Sequence, residues 1–166
     1  YVGDGNNVAH SLLEACSLAG VGIRVASPPG YEPDGAIVAT AERLARGSGS
    51  EVAVVNDPRV AVRGVHAVYT DVWVSMGDGE GERAARTEAL TPYRVDRALM
   101  GLADRDAVFM HCLPAHRGDE VAADVIDGPR SVVFDQAENR MHTAQVLLEA
   151  LVLGQLDGAR EHAEVR

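Results

Sequence analysis

Short apolar segments with strand character alternate with longer helix-like segments along the whole chain. The strand-like segments cover residues 22–26, 52–55, 67–73, 107–112 and 131–134. Repeated strand–helix units with apolar strands are typical of a parallel sheet that carries helices on both faces. The sequence therefore predicts an α/β domain with a doubly wound, three-layer architecture and a central parallel sheet of about five strands. We expect one domain over residues 1–166, with 157–166 as a frayed tail.

Several of the predicted helices have recognisable end signals. Asn6 or Asn7 can cap the first helix, and Asp34 can cap the second. Shorter helices are expected over residues 95–102 and 119–126. The last helix is predicted to run from about Glu138 to Leu156.

The charge balance excludes several classes of protein. The 166 residues carry a net charge of −10, which argues against a nucleic-acid partner bound through charge. All 15 basic residues are arginine. A chain without lysine has neither a Schiff-base lysine nor a Gly-Lys-Ser/Thr phosphate loop.

The cysteines and the apolar segments indicate the cellular compartment in which we expect the protein. Cys16 and Cys112 are far apart in sequence and do not form a secreted disulfide framework, so we expect a reducing, cytoplasmic location. No apolar stretch approaches the length of a membrane span, and no signal segment is visible. The chain opens on residues 1–5, which resemble the end of a strand and its turn, so we expect it to be part of a larger protein.

The segment His-Cys-Leu-Pro-Ala at 111–115 follows the apolar run at 107–110. Pro114 has no N–H to donate and therefore ends the predicted strand. A thiol, an imidazole and unpaired carbonyls are then left at the carboxyl edge of the sheet, where ligands bind in open α/β folds. Taken alone, Cys112 is better explained as a small buried hydrophobic residue, as free cysteines usually are, and the other loops of the chain favour the binding role instead.

Asn6 and Asn7 lie in the first of these other loops. One asparagine suffices to cap the helix, which leaves the second to offer its amide to a ligand carboxylate near the positive helix end. Both could also serve the helix end alone. Val8 stands where a dinucleotide-binding loop would have its third glycine, which disfavours a nicotinamide cofactor.

Asp71 lies in an otherwise apolar strand, where a carboxylate needs a cationic partner. That partner is either an internal arginine or the ammonium of a substrate. Ser75, Met76 and Gly77 follow, but Trp73 occupies the place of the leading glycine of a nucleophile elbow. Arg140, after the last predicted strand, is either solvated or able to bind a carbonyl or phosphate oxygen.

His111, Cys112 and His116 raise the question of a metal. A structural zinc site needs four ligands, and the sequence has no CxxC or HxxxH pattern to supply the rest. We therefore expect no metal.

Four motifs occur in order: GDGNN at 3–7, DVWVSMG at 71–77, HCLPA at 111–115 and FDQAENRMH at 134–142. With this set the chain resembles the carboxyl-terminal, ornithine-binding half of the aspartate/ornithine carbamoyltransferase family. The resemblance implies a Rossmann-like fold and transfer of the carbamoyl group of carbamoyl phosphate to the δ-amine of ornithine, which gives citrulline and phosphate. It also implies that no cofactor takes part, and that the complete enzyme is a homotrimer or a higher homo-oligomer.

The resemblance assigns the ornithine site to two loops. Asn7, with Asn6 beside it, would hold the α-carboxylate of ornithine. Asp71, with Ser75 and the backbone of Met76, would hold the α-ammonium and position the side chain.

The carbamoyl group would be held by the other two motifs. Cys112 would lie near the δ-amine, and the carbonyls of Cys112 and Leu113 would orient the carbamoyl amide. Arg140 would bind the carbamoyl oxygen as it gains negative charge. Because a neutral amine attacks a carbonyl, positioning and charge stabilisation are the main tasks of such a site.

The family's phosphate-binding amino-terminal domain has no counterpart in this sequence. We therefore expect the chain alone to be inactive and the apolar residues of the last helix to be partly exposed, namely Val146, Leu147, Leu151 and Val152. Two alternatives remain, a catalytically silent amino-acid-binding module and a carbamoyltransferase for another amine such as putrescine or an acetylated ornithine. Asp71 and the Ser-Met-Gly sequence argue against the latter, since a substrate without a free α-amino acid group does not need them.

Overall fold

A computed structural model of the chain describes residues 1–74 and 80–155, which fall into two compact units, 1–133 and 134–166. In chain order the elements of the first unit are α1 (Asn7–Leu18), β1 (Ile23–Ala26), α2 (Gly35–Ser48), β2 (Val52–Val55), α3 (Pro58–Ala61), β3 (Ala67–Thr70), α4 (Glu80–Leu90), a 3₁₀ turn (Thr91–Tyr93), α5 (Arg97–Met100), β4 (Val108–His111) and α6 (Ala123–Ile126). The helix α7 (Val133–Val152) makes up most of the described part of the second unit.

The strands pair in parallel, as the sequence predicts. β1 pairs with β2, and β3 pairs with β4. The first three residues lie between these two pairs: the Ala26 N–H donates to the Tyr1 carbonyl at 2.8 Å, and the Val2 N–H donates to the Tyr69 carbonyl at 2.9 Å. The order is therefore β2, β1, residues 1–3, β3, β4, with the chain wound to both sides of its own beginning. This confirms the α/β, doubly wound fold.

The apolar core consists of two clusters that share the strands. Val68 and Phe109 belong to one, together with residues of α5 and α6, whereas Ile23, Val25 and Tyr69 pack with α1 and α2 in the other. Adjacent strand residues point to opposite faces of a sheet. Val68 packs in the first cluster and its neighbour Tyr69 in the second. The two clusters therefore lie on opposite faces of the strands.

The prediction of a fifth strand over 131–134 is wrong. Ser131 forms a single parallel bridge with Phe109, and α7 already begins at Val133 rather than near Glu138. β-branched residues favour a strand only where a neighbour pairs with them. The good helix formers of 136–138 extend α7 back to the bridge. The described residues thus contain four strands rather than about five.

The other elements are mostly shorter than the sequence predicts. β3 ends at Thr70 instead of Trp73, since the Asp71 side chain accepts a hydrogen bond from the Val72 N–H at 2.8 Å and turns the chain out of the ladder. The helices predicted over 95–102 and 119–126 contract to α5 and α6. No helix within the described residues is long and apolar enough to cross a membrane. Residues 156–166, which include the predicted tail, lie outside the described part.

Candidate active site

The carboxyl ends of the parallel strands meet where the chain winds away to both sides of residues 1–3. Such a switch point leaves a crevice between the loops that follow the neighbouring strands, and ligands bind there in open α/β sheets. Three of the four sequence motifs begin at these strand ends: at Gly3, at the residue directly after β3, and at His111, the last residue of β4. The fold therefore brings together side chains that are far apart in sequence.

Asn6 joins the first loop to the second. Its Oδ1 caps α1 by accepting from the Val8 and Ala9 N–H groups at 3.0 and 3.2 Å, and its Nδ2 donates to Asp71 Oδ2 at 2.9 Å. Asn7 begins α1 and is exposed. The cap is thus Asn6, and Asn7 is the asparagine whose amide faces solvent at the positive end of the helix.

The loop around Asn6 requires a glycine before it. A Cβ on Gly5 would lie 2.2 Å from the Pro33 nitrogen, closer than real Cβ atoms come to backbone. Gly5 also donates from its N–H to the Tyr31 carbonyl at 2.7 Å. The glycine lets the loop pack against the segment after β1, and this packing fixes the position of Asn6 at the sheet edge.

Asp71 is buried, with 8% of its surface exposed, and is surrounded by neutral donors. Its carboxylate accepts from the Asn6 amide and from the Cys112 thiol, both at 2.9 Å, and from the Val72 N–H at 2.8 Å. Within residues 1–74 and 80–155 no arginine forms a salt bridge with it. The internal arginine considered from the sequence is therefore not found in the described residues.

Cys112 follows β4 and donates from Sγ to Asp71 Oδ1. Burial, together with the hydrogen bond and negative charge of Asp71, raises the pKa of the Cys112 thiol to about 12. Only the thiolate is a strong nucleophile. A thiol held protonated at neutral pH is suited to hydrogen bonding and positioning rather than to covalent attack.

Leu113 turns the backbone after β4. Its φ of 57° lies in the left-handed region, which costs a residue other than glycine about 1–2 kcal/mol. The Leu113 N–H donates to Nδ1 of the buried His111 at 2.8 Å. This side-chain hydrogen bond satisfies a backbone group that has left the strand ladder.

Asp71, His111 and Cys112 place three potential metal-ligand atoms within 4.8 Å of one another. A hydrogen bond from Cys112 to Asp71 joins two of these residues, and the Nδ1 atom of the third, His111, accepts from the Leu113 N–H. His116, the third residue of the pattern weighed from the sequence, is not in this group.

The remaining predicted site residues are Ser75, Met76 and Arg140. Ser75 and Met76 lie outside the described residues. Arg140 lies in α7, in the second compact unit, where it is exposed. Their assigned roles therefore stay predictions.

Two residues near the site were missed from the sequence. The Tyr1 hydroxyl donates to Asn6 Oδ1 at 3.2 Å, and Glu120 is a buried carboxylate behind the loop after β4. Tyr1 has the pattern of an ordinary core aromatic. Glu120 stands beside Asp119, a charged pair typical of a solvated turn, and only the apolar residues that follow hinted at burial.

Comparison with known proteins identifies the fold and the family. Residues 1–151 match the family described as aspartate/ornithine carbamoyltransferase, Asp/Orn binding domain. The chain is 55% identical over 152 residues to an ornithine carbamoyltransferase of Acidothermus cellulolyticus, covering 92% of this chain and 48% of that protein. The chain belongs to the aspartate/ornithine carbamoyltransferase family, and it spans about half the length of the curated relatives it matches.

Solved structures agree with this relationship. The ornithine carbamoyltransferase of Pyrococcus furiosus superposes with a TM-score of 0.87 at 51% identity, over 93% of this chain and 49% of that one. An N-acetyl-L-ornithine transcarbamylase superposes with a TM-score of 0.76 at 30% identity, over 86% of this chain and 44% of that one. Both share the Rossmann-like fold, and the ornithine enzyme is the more similar in sequence.

Proposed function

We propose that this chain is the ornithine-binding half of an ornithine carbamoyltransferase. In the complete enzyme the carbamoyl group of carbamoyl phosphate is transferred to the δ-amine of ornithine, giving citrulline and phosphate. The similarity to ornithine carbamoyltransferases over nearly the whole chain supports this reaction.

The observation that carries the proposal is the environment of Asp71. A buried carboxylate with neutral donors alone is costly, and an ammonium group placed against it would compensate its charge. Its donors come from two different loops of the switch point, which suits a ligand bound between them. The α-ammonium of ornithine meets this requirement, whereas an N-acetylated amine or a ligand without an α-amino group does not.

The rest of the amino acid is placed by its neighbours. Asn7, exposed at the start of α1, binds the α-carboxylate beside Asn6. Ser75 and Met76 complete the contacts to the ammonium side. Cys112 lies beside Asp71 and contacts the approaching δ-amine as a neutral thiol, so the amine attacks the carbamoyl carbon directly and no covalent enzyme intermediate forms.

The carbamoyl group is bound by the loop after β4 and by α7. The carbonyls of Cys112 and Leu113 accept from its amide, and the Arg140 guanidinium binds its oxygen as negative charge develops. No metal ion or organic cofactor is needed in this scheme. The phosphate is bound by the amino-terminal domain that the family resemblance implies.

The exposed apolar side of α7 supports the proposal of that second domain. Val146, Leu147, Leu151 and Val152 are 51–83% exposed, as expected from the sequence. Contiguous exposed apolar residues on a helix are typical of an interaction surface. We further propose that the complete protein is cytoplasmic and forms a homotrimer or a higher homo-oligomer.

The test is a reconstitution. This chain is joined to the amino-terminal half of the Acidothermus cellulolyticus relative, and citrulline and phosphate are measured with carbamoyl phosphate and ornithine. The chain alone and the amino-terminal half alone are the controls, and both are expected to show no turnover. Citrulline formation by the purified chain alone would refute the two-domain scheme.

The same assay separates the alternatives. Putrescine, N-acetylornithine and aspartate are compared with ornithine as acceptors, and ornithine is expected to be preferred by at least tenfold in kcat/KM. Preference for another acceptor contradicts the assignment of Asp71. Binding of ornithine with no product from any acceptor in the joined protein favours a silent binding module.

A further inference from the structure

Glu120 is a fully buried carboxylate that none of the assigned roles uses. It lies behind the loop that carries Cys112 and Leu113, between the end of β4 and the start of α6. A carboxylate in this position is costly unless donors compensate it. The groups around it therefore indicate why the fold retains it.

These groups belong to the two ends of one loop. Glu120 Oε1 accepts a hydrogen bond from the His116 backbone N–H and lies 3.4 Å from His111 Nε2, in close contact but outside hydrogen-bond geometry. His111 immediately precedes Cys112, and His116 immediately follows Ala115. One carboxylate oxygen thus contacts residues on both sides of the segment 112–115.

His111 transmits this contact to Leu113. Because Nδ1 accepts from the Leu113 N–H at 2.8 Å, a neutral ring carries its proton on Nε2, the nitrogen that faces Glu120. The group opposite one ring nitrogen commonly selects the tautomer in this way. The imidazole of His111 therefore lies between the Glu120 carboxylate and the Leu113 backbone N–H, and contacts both.

We propose that Glu120 is a positioning residue for the carbamoyl-binding loop. By selecting the Nε2–H form of His111 and anchoring His116, it holds Leu113 at its φ of 57° and so sets the direction of the Cys112 and Leu113 carbonyls. The effect on catalysis rests on the proposed function, whereas the effect on loop geometry does not.

The first experiment measures the loop in the 166-residue chain. Nitrogen NMR of labelled histidine identifies the protonated ring nitrogen of His111, and hydrogen exchange reports on the Leu113 N–H. The variants are Glu120→Gln, which retains an acceptor oxygen, and Glu120→Met, which removes it. Val121→Ala is the matched control, since Val121 is an equally buried neighbour whose side chain lies in the core.

Wild type and Glu120→Gln are expected to show the Nε2–H form and a protected Leu113 N–H. Glu120→Met is expected to lose the single tautomer and to exchange the Leu113 N–H at least about tenfold faster than Val121→Ala. An Nδ1–H ring in the wild type overturns the proposal, even if Glu120→Met fails to fold. Equal exchange in Glu120→Met and Val121→Ala also overturns it, because the effect would then be loss of stability alone.

The second experiment uses the complete enzyme restored with an amino-terminal half. Glu120→Met is expected to lower kcat about tenfold with KM for ornithine within about twofold, and Glu120→Gln to restore most of kcat. Unchanged kcat in Glu120→Met overturns the catalytic consequence. If the wild-type complete enzyme makes no citrulline, the proposed function fails, while the NMR result still decides the role of Glu120 in the loop.

Discussion

The two compact units hold their candidate site residues in opposite ways. In residues 1–133, Asp71 is buried and receives hydrogen bonds from Asn6 and Cys112. In the described part of the second unit, Arg140 is exposed, and apolar residues of the same helix are exposed as well, such as Phe134 at 74%. Asp71 and the two residues that donate to it are thus fixed by the fold of their own unit, whereas Arg140, the residue proposed for the carbamoyl oxygen, is exposed on α7.

This difference separates two kinds of site residue. A side chain within a hydrogen-bond network is already in place before a ligand arrives, and removing it disturbs a defined set of neighbours. A side chain on an exposed helix depends on further contacts for its position. Substitutions in the two units should therefore affect different kinetic constants of the restored enzyme.

Replacing Asp71 by asparagine should have the largest effect. The neutral amide cannot compensate the charge of an ammonium group. The fall in kcat/KM for ornithine should therefore correspond to a loss of about 2–5 kcal/mol of transition-state stabilisation, and kcat/KM for carbamoyl phosphate should change much less. Steady-state kinetics with each substrate varied in turn, together with a thermal melt, measure this. Asp106→Asn, which changes an exposed carboxylate, is the matched control. Equal losses for both substrates in a folded variant would make Asp71 structural.

Replacing Arg140 by lysine should act mainly on kcat. Lysine keeps the positive charge but lacks the planar fork of donors, so a group that binds the transition-state oxygen should lose about 2–4 kcal/mol in kcat. The complete enzyme is measured at saturating concentrations of both substrates. Arg105→Lys, at an exposed surface position, should leave kcat unchanged. A near-normal kcat for Arg140→Lys would mean that the second unit contributes no catalytic group at this position.

The reactivity of Cys112 tests the first unit directly. With its pKa raised to about 12, the thiol is almost wholly protonated at pH 8, and the thiolate fraction rises only as the pH approaches that value. In a Cys16→Ser chain, alkylation at pH 8 should be at least about tenfold slower than in the urea-unfolded chain. Asp71→Asn should accelerate the alkylation of Cys112, since the Asp71 carboxylate raises the pKa of that thiol. Alkylation equally fast in the folded and unfolded chain would contradict the buried, hydrogen-bonded thiol.

Replacing Cys112 by alanine should have the smallest effect. If the thiol positions the amine and forms no covalent bond, its loss removes about one hydrogen bond, or about 1 kcal/mol in kcat/KM for ornithine. Cys16→Ala is the control, since Cys16 lies in α1 and packs against the apolar cluster that α1 forms with α2. Trapping of a carbamoylated Cys112 during turnover, or complete loss of activity in a folded Cys112→Ala enzyme, would reverse this assignment.

Much of the fold follows from local patterns in the sequence. The parallel strand–helix alternation and the end of β4 before Pro114 were predicted from periodicity and from proline chemistry. The helix over 133–137 was not, because Val132 and Val133 favour a strand locally. Residues after Ser131 form a strand only if a neighbouring strand pairs with them, and otherwise they can join the helix. Such pairing depends on residues that are distant in sequence, so the local pattern does not reveal it.

The sequence predicts those site residues that directly follow a predicted strand. Asp71 and Cys112 follow two apolar strands, so their meeting at one edge follows from a parallel sheet. That Asn6 rather than Asn7 contacts Asp71 depends on the orientation of α1, which the sequence does not specify. Glu120 escaped notice because its burial results from the path of a loop rather than from any periodic pattern.

The double contact of Asn6 limits which amino acids position 6 can accept. Asparagine, aspartate and serine cap helices about equally well. Aspartate, however, would set a second carboxylate against that of Asp71, and serine is too short to cap α1 and reach Asp71 together. Asparagine has an acceptor and a donor on opposite sides of one amide. Of these three capping residues, only asparagine can therefore make both contacts at position 6.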